Sequence, residues 1–331
     1  MRPRSPAELL KKASVPALLV TDPTNIRYCT GVHLSAGVLL LTARSQLLFV
    51  DSRYTLLAER RAQSGVSVRD SADFPNVLHK MRRIGFEAEH VTYQRLALWK
   101  RKYKNTKFIH TSEAVEWFRR GKENEELRYL QRAERITEEL LRRVPHALKK
   151  GITEEELARK IAIWALELGA EGVSFDPIVA FGTHTSSPHH RPTSRTLKKG
   201  HIVQIDCGAK YRGYCADRSE VFFTKAPTSF QKMVYEILSE ARDAAMEQAR
   251  AGASTHLLDR TARDILKREG IEHAFTHSLG HGVGLDIHEG VTLSSKAKEE
   301  KLLRREVITI EPGVYFPGTF GMRLESMVYV D

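Results

Sequence analysis

One segment, residues 201–223, constrains the fold of this chain more than any other. It reads HIVQIDCGAKYRGYCADRSEVFF, and its apolar residues alternate with polar ones on both sides of KYRG. This alternation predicts an antiparallel hairpin. If the reversal centres between Tyr211 and Arg212, Asp206 lies directly opposite Asp217 on one face. Two such carboxylates repel each other and are costly to bury unpaired, so the hairpin is expected to hold a cation.

A second hairpin with the same arrangement is predicted at residues 306–330, EVITIEPGVYFPGTFGMRLESMVYV. Gly318 lies midway between Glu311 and Glu325, which places these two acids opposite each other. The proline and glycine residues allow a bulge, so the first register is the firmer of the two. A single hairpin of this kind could be a solvent-facing ribbon with incidental acids. Two of them, each with apolar neighbours, favour a common binding site.

Histidines in glycine-rich surroundings supply a further set of candidate ligands. THSLGHGVGLDIHE contains His277, His281 and His288, and TSSPHHRPT contains His189 and His190. The spacing and the glycines do not suit the helical HExxH zinc motif. One imidazole with four carboxylates favours a hard or borderline divalent metal such as Mn²⁺, Co²⁺, Zn²⁺ or Fe²⁺.

The chain is predicted to contain two domains, residues 1–120 and 121–331, separated at the polar segment RRGKEN. The first is predicted to be a small α/β domain, a sheet flanked by helices. Its expected strands are 17–20, 37–42 and 46–51, and its expected helices are Arg53–Ser64 and Tyr93–Tyr103.

The second domain repeats its own outline, with two helices leading to strands and a hairpin in each half. The expected helices are about 122–148, 153–168, 229–250 and 254–269, and the two hairpins end near Thr224 and Asp331. Thr153 and Glu156 form a capping-box pattern at one helix start. This repetition predicts a pseudo-twofold α/β domain whose site lies where the halves meet.

Composition limits the other function classes. The net charge is +11, but Lys and Arg are interspersed with Glu in helical segments, which favours a solvated surface over a nucleic-acid site. The three cysteines, Cys29, Cys207 and Cys215, are too few for a disulfide scaffold. No signal peptide or membrane-length apolar run is visible. We therefore expect a cytoplasmic protein that binds no membrane.

Four strings resemble the pita-bread metallopeptidases, in the branch of the Xaa-Pro aminopeptidases and prolidases: DCGAKYRGYCAD, HSLGHGVGLDIHE, ITIEPGVY and GMRLES. The segments PALLVTDPTNIRYCTGVHLSAGVLLLT and FVDSRYT resemble the accessory domain of that branch. The resemblance covers about residues 15–331. It implies an α/β (α+β) chain in which a smaller creatinase-like domain precedes a pseudo-twofold pita-bread catalytic domain.

The resemblance also implies site residues and partners. Asp217 and Glu325 would bridge two divalent metals, Mn favoured, and Asp206 would bind one metal while His281 and Glu311 bind the other. The implied catalytic residues are His189, His277, His288, Glu311 and Arg323. Glu311 would act as general base and proton donor, His189 and His288 would stabilise the oxyanion, His277 would line the proline pocket, and Arg323 would orient substrate or Glu325. The implied substrate is a peptide with proline at its second position, and the implied assembly is a homodimer.

Three positions depart from the family pattern, Glu220, Val291 and Ser326, and the surroundings of the metal site are expected to differ from those of the family there. The compact leading domain favours an Xaa-Pro aminopeptidase over an Xaa-Pro dipeptidase, or prolidase, which stays the alternative. Methionine aminopeptidases normally lack such a domain. A non-catalytic interaction module of the same fold is the alternative of another class, although such proteins usually lose metal ligands and this chain retains all five.

Overall fold

The computed structural model describes residues 5–331 and divides the chain into two compact units, the residues up to Arg119 and the segment Arg120–Asp331. The prediction of two α/β units is confirmed. Within residues 5–331, no helix combines the length and the apolar character that crossing a membrane requires.

The N-terminal unit is built on a six-stranded mixed sheet in the order β4-β3-β2-β1-β5-β6. Its strands are β1 (Ala17–Val20), β2 (Val38–Thr42), β3 (Gln46–Val50), β4 (Val66–Asp70), β5 (Arg83–Glu87) and β6 (Lys107–Thr111). Its helices are α1 (Pro6–Ala13), α2 (Pro23–Thr30), α3 (Thr55–Arg61), α4 (Phe74–Leu78), α5 (Tyr93–Lys102) and α6 (Glu116–Arg120). All four residues of β1 are buried, as expected of a continuous apolar run at the centre of a sheet.

The C-terminal unit repeats its element order, as predicted. Its helices are α7 (Asn124–Ala147), α8 (Glu154–Glu167), α9 (Ser229–Gln248) and α10 (Thr255–Arg268). The first half adds β7 (Gly172–Val173), β8 (Ile178–Phe181), β9 (Ile202–Cys207), β10 (Ala209–Tyr211), β11 (Tyr214–Cys215) and β12 (Arg218–Phe223). The second half adds β13 (Gly280–Gly282), β14 (Glu289–Leu293), β15 (Val307–Ile310), β16 (Gly313–Phe316), β17 (Phe320–Arg323) and β18 (Ser326–Tyr329).

Each half has a hydrophobic core of its own. In the first half Leu140 and Ile161, from α7 and α8, pack with Val203 of β9. In the second half Leu238 and Leu258, from α9 and α10, pack in a cluster with strand residues such as Ile308. The helices therefore form one layer of each half and the strands the other, and the strand layers carry the acidic residues.

Helix starts in this unit follow the sequence signals. The Thr153 hydroxyl accepts a hydrogen bond from the Glu156 amide at 3.1 Å, and the Glu156 carboxylate accepts one from the Thr153 amide at 2.9 Å. The predicted capping box is therefore present at the start of α8. It fixes the first turn of this helix, where Glu154 is fully buried.

Gly208 joins β9 to β10 at a point where the backbone of the first half approaches itself closely. A Cβ at this position would lie 1.7 Å from the carbonyl oxygen of Ala216. Only glycine fits this contact, which keeps the two acidic ends of the hairpin close together.

We expect Gly208→Ala to lower the melting temperature, because the added methyl forces backbone apart at a cost of about 3 kcal/mol or more. Gly318→Ala is the matched control, since Gly318 has a φ of +72° but open space around it. Its cost is limited to the left-handed conformation, about 1–2 kcal/mol. A thermal melt in which Gly208→Ala is as stable as Gly318→Ala would contradict this account.

Candidate metal centre and its cavity

The first acidic hairpin has a register two residues away from the predicted one. Arg212 and Gly213 both have positive φ, 48° and 78°, and form the two-residue turn between Tyr211 and Tyr214. Asp206 therefore pairs with Ser219, and the prediction that it directly faces Asp217 is wrong. Because side chains alternate with a period of two, the shift leaves Asp206 and Asp217 on the same face as diagonal neighbours.

The second acidic hairpin has the predicted register. Ile310 pairs with Ser326 in β15 and β18, and Gly313 pairs with Arg323 in β16 and β17. These two pairings share one register without a bulge, so Glu311 and Glu325 lie across from each other between them. The symmetry about Gly318 is confirmed, and this register is the firmer of the two.

His281 reaches the acids from β13, which is pressed between β14 and β15. A Cβ on Gly280 would lie 2.1 Å from the carbonyl oxygen of Thr309, so a larger residue would push the strand away. Nε2 of His281 lies 3.5 Å from an oxygen of Asp217 and 3.5 Å from an oxygen of Glu311. Nδ1 lies 3.1 Å from the carbonyl oxygen of Gly282, which places the proton on Nδ1 and leaves the Nε2 lone pair for a cation.

The burial of these acids is the strongest indication of a cation site. Ligand atoms of Asp217, His281 and Glu325 all lie within 4.8 Å of one another. Among the described residues, Asp206 Oδ1 and Asp217 Oδ1 are buried without a hydrogen-bond partner. Unpaired oxygens of this kind are rare in folded proteins and call for an ion or water.

The pKa values give the same indication. Burial first, and then Glu325 and Asp206, raise the pKa of Asp217 well above its ordinary value. Burial, Glu311 and Asp206 do the same to the pKa of Glu325. Burial raises the pKa of Glu311 to about 8. The protein alone thus disfavours the ionised form of these acids. A bound divalent cation would lower their pKa values and favour that form. The set of four carboxylates and one imidazole fits a hard or borderline divalent ion.

Arg323 provides a buried positive charge beside the acids. Its guanidinium donates to Asp206 at 2.5 Å, to the Ser219 hydroxyl at 2.9 Å, to the Tyr315 hydroxyl at 2.6 Å and to the Pro188 carbonyl at 3.3 Å. These partners come from both halves of the unit. Burial alone would lower the pKa of Arg323, but Tyr315 and the carboxylates outweigh it and raise that pKa well above its ordinary value. Arg323 is therefore a permanent charge fixed in one orientation.

All nine predicted site residues line one cavity of about 430 Å³. They are Asp206, Asp217, His281, Glu311, Glu325, His189, His277, His288 and Arg323. The sequence did not identify the rest of the lining, which is Phe175, Ile178, Pro188, Ser278, Ile287 and Thr292. Short loops and strand ends supply these residues, and no charge or glycine pattern in the sequence distinguishes them.

Burial lowers the pKa of three of the cavity histidines, which favours their neutral form. Burial, followed by the charge of Arg323, lowers the pKa of His277 to about 4. Burial and the neighbouring His288 lower the pKa of His281 to about 4, and burial and His189 lower that of His288. Nε2 of His277 lies 3.1 Å from the Tyr315 hydroxyl. Neutral imidazoles can each donate one hydrogen bond and accept another.

Ion pairs outside the cavity lining hold the backbone at or next to two of these histidines. Arg263 of α10 donates to the carbonyl oxygen of His277 at 2.7 Å and is itself held by the buried Asp259 at 3.0 Å. Glu289, which follows His288, is paired with the buried Lys122 at 2.9 Å. Lys122 and Glu289 are far apart along the chain, so the sequence does not predict that they pair. Asp259 and Arg263 are four residues apart on α10, a spacing that suits a helical ion pair, but this spacing does not reveal that Arg263 binds the His277 carbonyl.

The three departures from the family pattern do not line the cavity. Glu220 lies on the opposite strand face and accepts a hydrogen bond from Arg218 at 3.1 Å. Val291 is buried in the core of the second half, and Ser326 begins β18. Cys215 is buried, and its thiol donates to the Leu285 carbonyl at 3.7 Å, as expected of a core residue.

Comparison with known families gives a match for each unit. Residues 128–331 match the family described as Metallopeptidase family M24. Residues 5–120 match the Creatinase/Prolidase N-terminal domain.

Individual relatives align over almost the whole chain. A Xaa-Pro dipeptidase of Pyrococcus horikoshii is 31% identical over 98% of this chain and 92% of that protein. A putative Xaa-Pro aminopeptidase of Mycoplasma genitalium is 31% identical with the same coverage.

Among solved structures, the Xaa-Pro dipeptidase from Bacillus anthracis superposes with a TM-score of 0.94 at 28% identity, covering 98% of this chain and 94% of that one. The X-Pro aminopeptidase from Thermotoga maritima gives 0.89 at 32% identity, covering 97% and 94%. The chain belongs to metallopeptidase family M24 and is a peptidase of the pita-bread fold with a creatinase-type N-terminal domain.

Proposed function

We propose that this peptidase removes the first residue from peptides that have proline at the second position, and that it uses two divalent cations to do so. The observation that carries the proposal is a cavity lined by four carboxylates, three of them buried, by the His281 imidazole beside them and by three further histidines. The printed names of the relatives support the Xaa-Pro specificity.

We assign five residues as metal ligands. Asp217 and Glu325 are assigned to both ions, Asp206 to one, and His281 with Glu311 to the other. The distances of His281 from Asp217 and Glu311, both 3.5 Å, support the second set. The unpartnered oxygens of Asp206 and Asp217 support the first. Mn²⁺ is the favoured metal, and the other candidates are Co²⁺, Zn²⁺ and Fe²⁺.

Bound cations of this kind polarise the scissile carbonyl and lower the pKa of an attacking water. The side chains of the chain perform the remaining steps. Glu311 accepts the proton of the water and returns it to the leaving nitrogen. His189 and His288, both in the cavity lining, donate hydrogen bonds to the carbonyl oxygen as negative charge develops on it. Arg323 keeps Asp206 oriented and is not itself a proton donor, since it stays charged.

Proline specificity is consistent with the apolar part of the lining. Phe175, Ile178 and Ile287 offer a surface on which a proline ring can pack. The bond before proline carries no N–H group, so the cavity does not have to supply an acceptor there. We assign His277, whose Nε2 meets the Tyr315 hydroxyl, to the wall near the leaving proline.

An Xaa-Pro dipeptidase activity is the second candidate. Relatives bearing that name support it, and a cavity of about 430 Å³ has room for a dipeptide. The aminopeptidase is preferred because Arg323, the guanidinium in the lining, is already engaged with Asp206, Ser219 and Tyr315. The terminal carboxylate of a dipeptide would compete for these bonds. The homodimer and the cytoplasmic location stay predictions.

The substrate assignment is tested with matched peptides. With Mn²⁺ added, we expect Xaa-Pro-Yaa to be cleaved with a higher kcat/KM than Xaa-Pro, and Xaa-Ala-Yaa to be cleaved poorly. A chelator should abolish the activity. Cleavage of Xaa-Pro alone would select the dipeptidase. The absence of cleavage and of metal uptake, with salt-sensitive nucleic-acid binding, would favour a non-catalytic module.

The role of Asp217 is tested by Asp217→Asn, which keeps the shape but removes the charge. Metal at about 100 times its Kd should stabilise the wild type by about 2.7 kcal/mol, and the variant should lose most of this increase together with its activity. Metal content by mass spectrometry and a melt with and without Mn²⁺ measure both. Glu220→Gln, on the opposite strand face, is the control and should behave as the wild type. Full metal uptake by Asp217→Asn would exclude Asp217 as a shared ligand.

A further inference from the structure

Glu154, at the start of α8, is a buried carboxylate outside the cavity lining, and five hydrogen bonds converge on it. One oxygen accepts from the Phe181 amide at 2.8 Å and from Nδ1 of His184 at 2.9 Å. The other accepts from Nε2 of His190 at 2.8 Å, from the Thr193 amide at 3.0 Å and from the Thr193 hydroxyl at 2.7 Å. The side chain itself is fully shielded from solvent.

This carboxylate differs in kind from the acids of the metal centre. Burial alone would raise the pKa of Glu154, but the hydrogen bonds, those from His190 and Thr193 first, outweigh it and lower that pKa. Glu154 is therefore ionised at neutral pH. Its five donors already exceed the roughly four lone-pair positions of a carboxylate, so some of these positions are shared. The arrangement of Glu154, His184 and His190 is thus a saturated hydrogen-bond anchor rather than a vacant cation site.

All five donors belong to one segment, residues 181–193, which carries His189 into the cavity. The same segment is held on its other side at two points. The Gly321 amide donates to the Thr185 hydroxyl at 2.9 Å, and Arg323 donates to the Pro188 carbonyl at 3.3 Å. His189 consequently lies between two fixed neighbours, the carbonyl of Pro188 and the ring of His190.

We propose that Glu154 is a positioning residue for the reaction, which acts through His190 to hold His189 in place against the substrate carbonyl. The proposal rests on the proposed function, in which His189 donates a hydrogen bond to that carbonyl. An ionised carboxylate binds His190 and Thr193 more strongly than a neutral group would. Losing this anchor frees the segment, and a displacement of about 1 Å in a catalytic group can reduce the rate about 100-fold.

The direct test uses the metal-loaded enzyme and an Xaa-Pro-Yaa peptide. Glu154→Gln should lower kcat about tenfold or more, because it places an NH₂ group or a neutral oxygen against the donors, while KM and metal content stay near wild type. His190→Phe should do the same, and His190→Gln, which restores a donor, should recover most of the loss. Glu126→Gln is the matched control, since Glu126 is also buried and accepts from the Tyr214 hydroxyl at 2.7 Å. Its kcat should stay within twofold.

A double-mutant cycle separates positioning from general support of the fold. If Glu154 acts through His189, Glu154→Gln should cost nothing further in a His189→Ala background. Equal losses in both backgrounds would overturn the proposal, as would a wild-type kcat in both Glu154→Gln and His190→Phe.

A second readout does not depend on activity. Amide hydrogen exchange in residues 181–193 should accelerate in Glu154→Gln and stay unchanged in Glu126→Gln. If the wild type cleaves no Xaa-Pro bond, or if His189→Ala retains full kcat, the proposed function fails. In that case exchange alone decides whether Glu154 holds the segment, and unchanged exchange overturns this inference.

Discussion

Four carboxylates that line one cavity impose the main constraint on the C-terminal unit. Asp206, Asp217, Glu311 and Glu325 repel one another, and burial, together with this repulsion, raises the pKa of Asp217 and Glu325 well above the ordinary value. Such a cluster persists only if the strands around it fix its members rigidly and if positive charge is supplied. The close backbone contact at Gly208 and the unbroken register of the second hairpin provide the rigid strands.

Arg323 supplies part of the positive charge that the acids require, and it also links the two halves of the C-terminal unit. It ends β17 in the second half, yet its side chain binds Asp206 and Ser219 of the first. The amide of Gln204, in β9, holds its backbone from both sides, at 2.8 and 3.2 Å. One cation beside four acids leaves a deficit of positive charge, which divalent ions would fill. The guanidinium is thus a structural link and a partial counter-charge, not a free ligand for substrate.

The sequence predicted the architecture, the boundaries of the long helices and the gathering of nine residues in one cavity, because all of these follow from periodicity and from matching strings. The predicted strand pairing of the first acidic hairpin is wrong by two residues, because the alternation of apolar and polar residues does not reveal that Arg212 and Gly213 form the turn. Asp206 and Asp217 nevertheless lie on the same face, as predicted, because side chains on one face of a strand recur every two residues. The pairing of polar residues such as Glu154 and His190 produces no repeating pattern in the sequence, so only the three-dimensional structure identifies it.

The acidic side chains in and around the cavity serve two different roles. The acids of the centre have acids for neighbours and include oxygens without partners, which leaves them available to cations. The acids behind the histidines are fully engaged: Glu154 with His190, Asp259 with Arg263, and Glu289 with Lys122. Each of these lies next to the segment that carries one cavity histidine, His189, His277 or His288. A flexible loop could bring a histidine to the cavity but could not hold it within the fraction of an ångström that proton and oxyanion chemistry requires. The saturated acids provide that rigidity while leaving the cavity free for metal and substrate.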